Sequence, residues 1–135
     1  MEKLTHHSPE SRESREHRFE LELDGKTIGY AYMEYYSRPL PFYFGKQIDI
    51  DKEYRGEGYG SKIMDSIEQH LRERGAAGLL FDGIPQEAGA AGMYERRGWI
   101  PVGSVKGRGS QAYAFNLPAG FDPARMDMAI NLVRE

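Results

Sequence analysis

The chain has 135 residues and no cysteine, and its 18 Lys and Arg against 21 Asp and Glu give a formal net charge of −3. One domain is expected at this length, burying roughly two-thirds of its unfolded surface without staples. The absent cysteine excludes a disulfide framework, a thiolate nucleophile and a zinc–cysteine site. The acidic balance argues against a general nucleic-acid binder, which carries a basic stripe.

The N-terminus shows no apolar h-region, and no apolar run approaches the ~20 residues that span a bilayer. A cytoplasmic location with no membrane partner is the expectation. Residues 1–18 are mostly Glu, Ser, Arg and His with a single Leu. Such a segment buries too little apolar surface to offset its ordering entropy, which predicts a flexible polar arm. His6, His7 and His17 are expected to be solvated there, because no rigid element fixes a ligand geometry. No metal site is expected.

Phe19, Leu21 and Leu23 alternate with Glu20 and Glu22, as in a half-buried strand. Asp24-Gly25-Lys26 is a hairpin turn signal, and residues 27–36 return as a tyrosine-rich strand. Pro39 and Pro41 mark a loop. Residues 42–51 form a third strand, ending with Ile48 and Ile50 on one face and Gln47, Asp49 and Asp51 on the other. In a helix over 61–74, Ile63, Met64, Ile67 and Leu71 make an apolar stripe. Glu68 and Arg72 are spaced to pair on its outer face, His70 is expected to be partly exposed, and Gly75 stops the helix. Residues 77–81 read as a short buried strand and 87–97 as a second helix ended by Gly98. Trp99 is expected in the core. Residues 99–105 and 111–117 close the sheet around Lys106-Gly107-Arg108-Gly109. Asp122-Pro123 starts a terminal helix with Met126, Ala129, Ile130 and Val133 on one face. The order β-β-β-α-β-α-β-β-α makes a mixed sheet with helices packed on it, and the unit at 47–81 is a parallel crossover.

The most informative stretch is Arg55-Gly56-Glu57-Gly58-Tyr59-Gly60, between a strand and a helix. A glycine-rich turn there leaves N–H groups unpaired at the positive end of the helix dipole, which is an anion site. A nucleotide P-loop needs G-x-x-x-x-G-K-[ST], and Gly60-Ser61-Lys62 offers no such frame. A dinucleotide fingerprint needs G-x-G-x-x-G. Here the third glycine comes one place early, although Asp82 stands where a ribose-binding acid would.

Arg55-x-x-Gly58-x-Gly60, within Ile48-x-Ile50-x-x-Glu53-Tyr54-Arg55-Gly56-x-Gly58-x-Gly60, resembles the pyrophosphate-binding segment of the GNAT superfamily of acyl-CoA-dependent N-acetyltransferases. Ala90-x-x-x-Tyr94-Glu95-x-x-Gly98-Trp99 is similar to that family's second signature. The resemblance covers residues 19–117. It implies an α/β (α+β) fold and a mixed, mostly antiparallel sheet with helices on both faces; beyond it the C-terminal helix, in 118–135, is expected to pack on the same domain. It also implies acetyl-CoA as cosubstrate and no metal. The N–H groups of Gly56, Glu57, Gly58, Tyr59, Gly60 and Ser61 would hold the pyrophosphate, with Arg55 as phosphate contact or loop tether. The strand through Ile48 and Ile50 would pair with the pantetheine arm, an N–H near Ile50 would face the thioester oxygen, and Tyr94 would protonate the departing thiolate. Among Glu34, Asp49 and Asp51, Asp49 is the first choice of general base, with a solvent-facing strand acid as the alternative. The acceptor would be a small-molecule amine or a protein or peptide amine.

The chain departs from the family pattern in three places. Lys52 stands where the family often has Pro. Glu87 stands where an Asn commonly opens the second helix and contacts the CoA arm. The strand and two helices that usually precede and wall the acceptor site are expected to be absent, because only the polar arm precedes Phe19. The aromatic segment 39–44, the C-terminal helix or a second copy in a homodimer would then supply the wall. Two readings stand beside an N-acetyltransferase: a non-catalytic CoA-binding or interaction module, and a small dinucleotide-binding domain.

Overall fold

The computed structural model describes residues 2–8, 15–81, 90–104 and 111–134. The expectations at Asp82, at Glu87 and over 105–110 lie outside them. Seven strands form one sheet in the order β1-β2-β3-β4-β5-β7-β6. In chain order they are β1 Glu2–His7, β2 Glu16–Leu23, β3 Lys26–Tyr36, β4 Phe42–Ile50, β5 Ala77–Phe81, β6 Ile100–Ser104 and β7 Gln111–Phe115. The helices are α1 Tyr59–Arg74, α2 Ala90–Arg96 and α3 Met126–Arg134. Among the described residues only β4 and β5 are parallel, joined through α1, and the other pairings are antiparallel.

Local chemistry sets the punctuation. Asp24 and Gly25 take φ of 50° and 83° between β2 and β3, the left-handed pair a tight hairpin turn requires. Gly75 closes α1 in the left-handed conformation, its N–H bonded to the carbonyls of Arg72 and Leu71. Asp122 accepts from Ala124 N at 3.0 Å and opens a 3-10 turn that leads into α3.

The sheet has a core on each face. Phe19, Leu21, Ile48, Ile50 and Tyr43 lie under α1's Ile63, Met64, Ile67 and Leu71, and Tyr94 of α2 joins the same cluster. On the other face Phe42, Phe44, Leu79, Ala112 and Ala114 pack against Met126, Ala129 and Ile130 of α3. Each fully buried aliphatic side chain contributes about 1.5–3 kcal/mol. β4 feeds both cores, and a bulge in it shifts which positions face each one. Tyr32 lies opposite Gln47 but Met33 opposite Gly45, which leaves Lys46 as the extra residue. One added residue reverses the alternation, so Phe42 and Phe44 point to one face and Ile48 and Ile50 to the other.

Four expectations are corrected. The arm over 1–18 is ordered where it is described: β1 pairs along β2, with Leu4 opposite Leu21 and His6 opposite Phe19. An edge strand is held by main-chain hydrogen bonds, which a polar composition does not reveal. The segment 39–44 is not an exposed aromatic wall, because Phe42, Tyr43 and Phe44 are buried within β4. His70 is buried as well. Glu68 does not pair with Arg72 on the outside. It is 4% exposed and accepts from Arg97 Nε at 2.8 Å, from a second Arg97 nitrogen at 3.0 Å and from Trp99 Nε1 at 2.8 Å. Arg72 instead lies over the ring of Phe115. Spacing along one helix cannot reveal a partner 29 residues away.

Candidate functional site

The site begins where β4 leaves β5. The parallel pairing covers only Phe42–Ala77, Tyr43–Gly78 and Phe44–Leu79. Beyond the bulge at Lys46, β4 stays bonded to β3 while its other edge diverges from β5. Asp51 N donates to Ile28 O at 2.7 Å, so the alternation of an antiparallel ladder turns the N–H and C=O of Ile48 and Ile50 away from β3, into the opening. Their side chains are buried, so these residues offer main chain to the opening.

The glycine turn lies at the wide end. Gly56 and Gly58 have φ of 81° and 87°. Gly58 is the N-cap of α1, and no side chain among the described residues caps the helix. Lys62 N already bonds to Gly58 O at 3.3 Å, and the N–H groups of Tyr59, Gly60 and Ser61 are the helix-terminal donors without an intrahelical acceptor. A Cβ at position 56, 58 or 60 would meet no atom within 4 Å. A cleft of about 260 Å³ is lined by Ile50, Tyr54, Arg55, Gly56, Gly58, Gly60, Ser61 and Met93. An open main-chain edge leading to an uncapped helix N-terminus suits an extended ligand that ends in phosphate.

Arg55 is a tether in this structure. Its Nε donates to Ile50 O at 2.9 Å and its second nitrogen to Asp49 Oδ1 at 2.9 Å. These bonds close the turn onto the end of β4. Asp49 lies on the face away from Ile48 and Ile50, its side chain 43% exposed and paired to Arg55. Glu57 is exposed and does not line the cleft. Tyr94 is fully buried, its ring 5.9 Å from Trp99 and 5.6 Å from Tyr113, and its neighbour Met93 is the α2 residue at the cleft. The sequence missed Tyr54, whose place in the cleft follows from the 3-10 turn over Lys52–Tyr54. The adjacent Gly56 and Gly58 were the available signal.

Residues 2–99 match the family described as "Acetyltransferase (GNAT) family", and the chain belongs to that family. Solved structures share the fold. The ribosomal-protein-S18-alanine N-acetyltransferase of Escherichia coli is 20% identical, over 74% of this chain and 66% of that one, with a TM-score of 0.59. A GNAT family acetyltransferase from Elizabethkingia anophelis, solved with acetyl-CoA bound, is 9% identical over 86% of this chain and 98% of that one, with a TM-score of 0.65. The PaiA N-acetyltransferase of Thermoplasma acidophilum, solved with coenzyme A, is 13% identical over 72% of this chain and 58% of that one, with a TM-score of 0.58. This chain therefore spans about two thirds of the length of the Escherichia coli enzyme.

Membership corrects the expected missing front. The N-terminal strand is present as β1, and the family match starts at residue 2. Residues 8–15 separate β1 from β2. The face of β2–β4 away from α1 carries Arg18, Glu20, Tyr30, Tyr32, Gln47 and Asp49, all exposed or half-buried. No helix among the described residues is long and apolar enough to cross a membrane.

Proposed function

We propose that the protein is an N-acetyltransferase that moves an acetyl group from acetyl-CoA to an amine of a small molecule, peptide or protein. The observation that carries the reading is the divergence of β4 from β5 beyond Lys46, ending at the Gly58-capped helix. In this reading the donors of Tyr59, Gly60 and Ser61 hold the pyrophosphate, and Gly56 and Gly58 let it approach the backbone. The edge of Ile48 and Ile50 bonds the pantetheine arm as an added strand. The N–H of Ile50 donates to the thioester oxygen as negative charge develops there.

Direct attack forms the N–C bond and breaks the C–S bond. The Tyr94 hydroxyl gives the departing thiolate its proton and regains one from solvent, while the amine releases its own proton to water. Asp49 anchors the turn through its bond to Arg55, and as an acid on the strand beside the thioester it is the alternative to water as acceptor of the amine's proton.

Calorimetry with acetyl-CoA against NADH, followed by thiol release across a panel of amines and peptide N-termini, tests the proposal. Binding of acetyl-CoA alone with release dependent on an amine is expected. Binding without release across the panel would favour a non-catalytic CoA-binding module, a reading that draws on the full burial of Tyr94.

A further inference from the structure

Three histidines from three elements converge under α1: His6 on β1, His17 on β2 and His70 on α1. One ring nitrogen of each lies within 4.8 Å of those of the other two. His6 Nε2 and His17 Nδ1 are 2.9 Å apart. His70 Nε2 is buried and has no hydrogen-bond partner among the described residues. An unpaired ring nitrogen is costly to bury, and here it belongs to a group with two other imidazoles beside it.

We propose that His6, His17 and His70 bind a divalent transition metal, with zinc as the expected ion, and that the metal fastens the N-terminal strand to α1. Imidazole suits zinc, and three protein nitrogens with one further position is a familiar zinc arrangement. Zinc–nitrogen bonds near 2.0–2.1 Å put tetrahedral ligand atoms about 3.4 Å apart, so the nitrogens need only small side-chain rotations.

Aromatic rings form the walls. Phe19 stacks on His6 at 4.6 Å, and Tyr43 meets the rings of both His17 and His70 at 5.0 Å. Burial holds His17 and His70 down to about 4 and lowers His6, with Arg74 adding to each shift. All three rings are therefore neutral near pH 7, the form that ligates. Among the described residues Arg74 is the cation acting on all three rings, and Glu73 opposes it at His70. A cleft of about 370 Å³ that includes His17, Arg15 and Tyr35 gives an ion a way in. Ten residues of helix separate His70 from Gly60, about 15 Å, so this site is distinct from the acyl-transfer cleft.

The test is titration of untagged, chelator-stripped protein with cobalt(II), followed by displacement with zinc. The expected result is one equivalent bound, with the visible absorption of a low-coordinate cobalt centre, bleached by zinc. His6→Gln and His17→Gln should each weaken binding by more than roughly a hundredfold, the upper end for losing an outer-shell partner. His7→Ala should bind as wild type, since His7 is an exposed side chain 3.6 Å from Glu20. Both glutamine variants keep His70, so circular dichroism can verify their fold. Absence of the cobalt spectrum overturns the proposal. So does unchanged affinity in both glutamine variants, or loss of binding in His7→Ala, which would mark adventitious surface binding.

Discussion

Trp99 Nε1 donates to Glu68 Oε2 at 2.8 Å, tying the residue before β6 to the middle of α1. Arg97 grips the same carboxylate with two nitrogens and also reaches Asp65. Those bonds raise Arg97 above the usual guanidinium range. Glu68→Ala removes the shared acceptor and leaves a half-buried cation beside an unpaired indole N–H. The expected loss is about 3–5 kcal/mol, a fall in Tm of roughly 10 °C or more. Trp99 is the only tryptophan, so its fluorescence reports the same event. A Tm within two or three degrees of wild type would show that the network contributes little.

Gly60 separates binding from folding. It lies in the first turn of α1, and a Cβ there meets no atom within 4 Å. Gly60→Val should fold with nearly unchanged Tm while acetyl-CoA affinity drops at least about tenfold, or 1.4 kcal/mol. Gly58→Val should lose both, because a branched residue at φ 87° is strained by about 1–3 kcal/mol. Retained affinity in Gly60→Val would move the phosphate elsewhere.

Tyr94→Phe removes one oxygen from a well-packed ring. Stability should change little and the KM for acetyl-CoA should hold. If the hydroxyl is the general acid, kcat falls on the order of 10²–10⁴-fold. Equal turnover would remove Tyr94 from the mechanism.

Asp49→Asn distinguishes an anchor from a base. Loss of the pair to Arg55 should loosen the turn, raising the KM for acetyl-CoA while kcat at saturation stays within a few-fold of wild type. A collapse of kcat with unchanged KM, recovered at high pH, would assign the proton transfer to Asp49 instead.

The buried histidines set a direction for acid stability. His17 and His70 sit near 4 against an ordinary 6.5. Between those values the unfolded chain binds more protons than the folded one. Their neutral burial therefore contributes no pH-dependent penalty above about 6.5, and stability falls as pH drops toward 4. Metal-free protein should show Tm decreasing from pH 7 to pH 4.5, with a shallower slope in His17→Gln. A flat profile in wild type would mean that the rings protonate without unfolding.

Hairpin, helix stripe, helix stops and the glycine turn were legible because each rests on neighbours in sequence. Asp24-Gly25 and Asp122-Pro123 carry their own geometry. β1 was not legible, because its order comes from main-chain pairing to β2, to which its polar residues give no pattern. Glu68 looked like a surface residue for the same reason: Arg97 and Trp99 reach it from another element. At the site, Ile48, Ile50 and the glycines were readable as a motif. The Arg55 tether was not separable from a phosphate contact until Ile50 O and Asp49 were seen beside it.

The extra residue at Lys46 makes the length of β4 a fixed quantity while leaving its composition free. Deleting Lys46 would join Gly45 directly to Gln47 in an unbroken ladder on β3, leaving Ile48 and Ile50 under α1 but removing the bulge at which β4 turns away from β5. Substitution can tune this strand, but a change in length cannot. Loss of that one residue would spare the core and cost the protein its cleft.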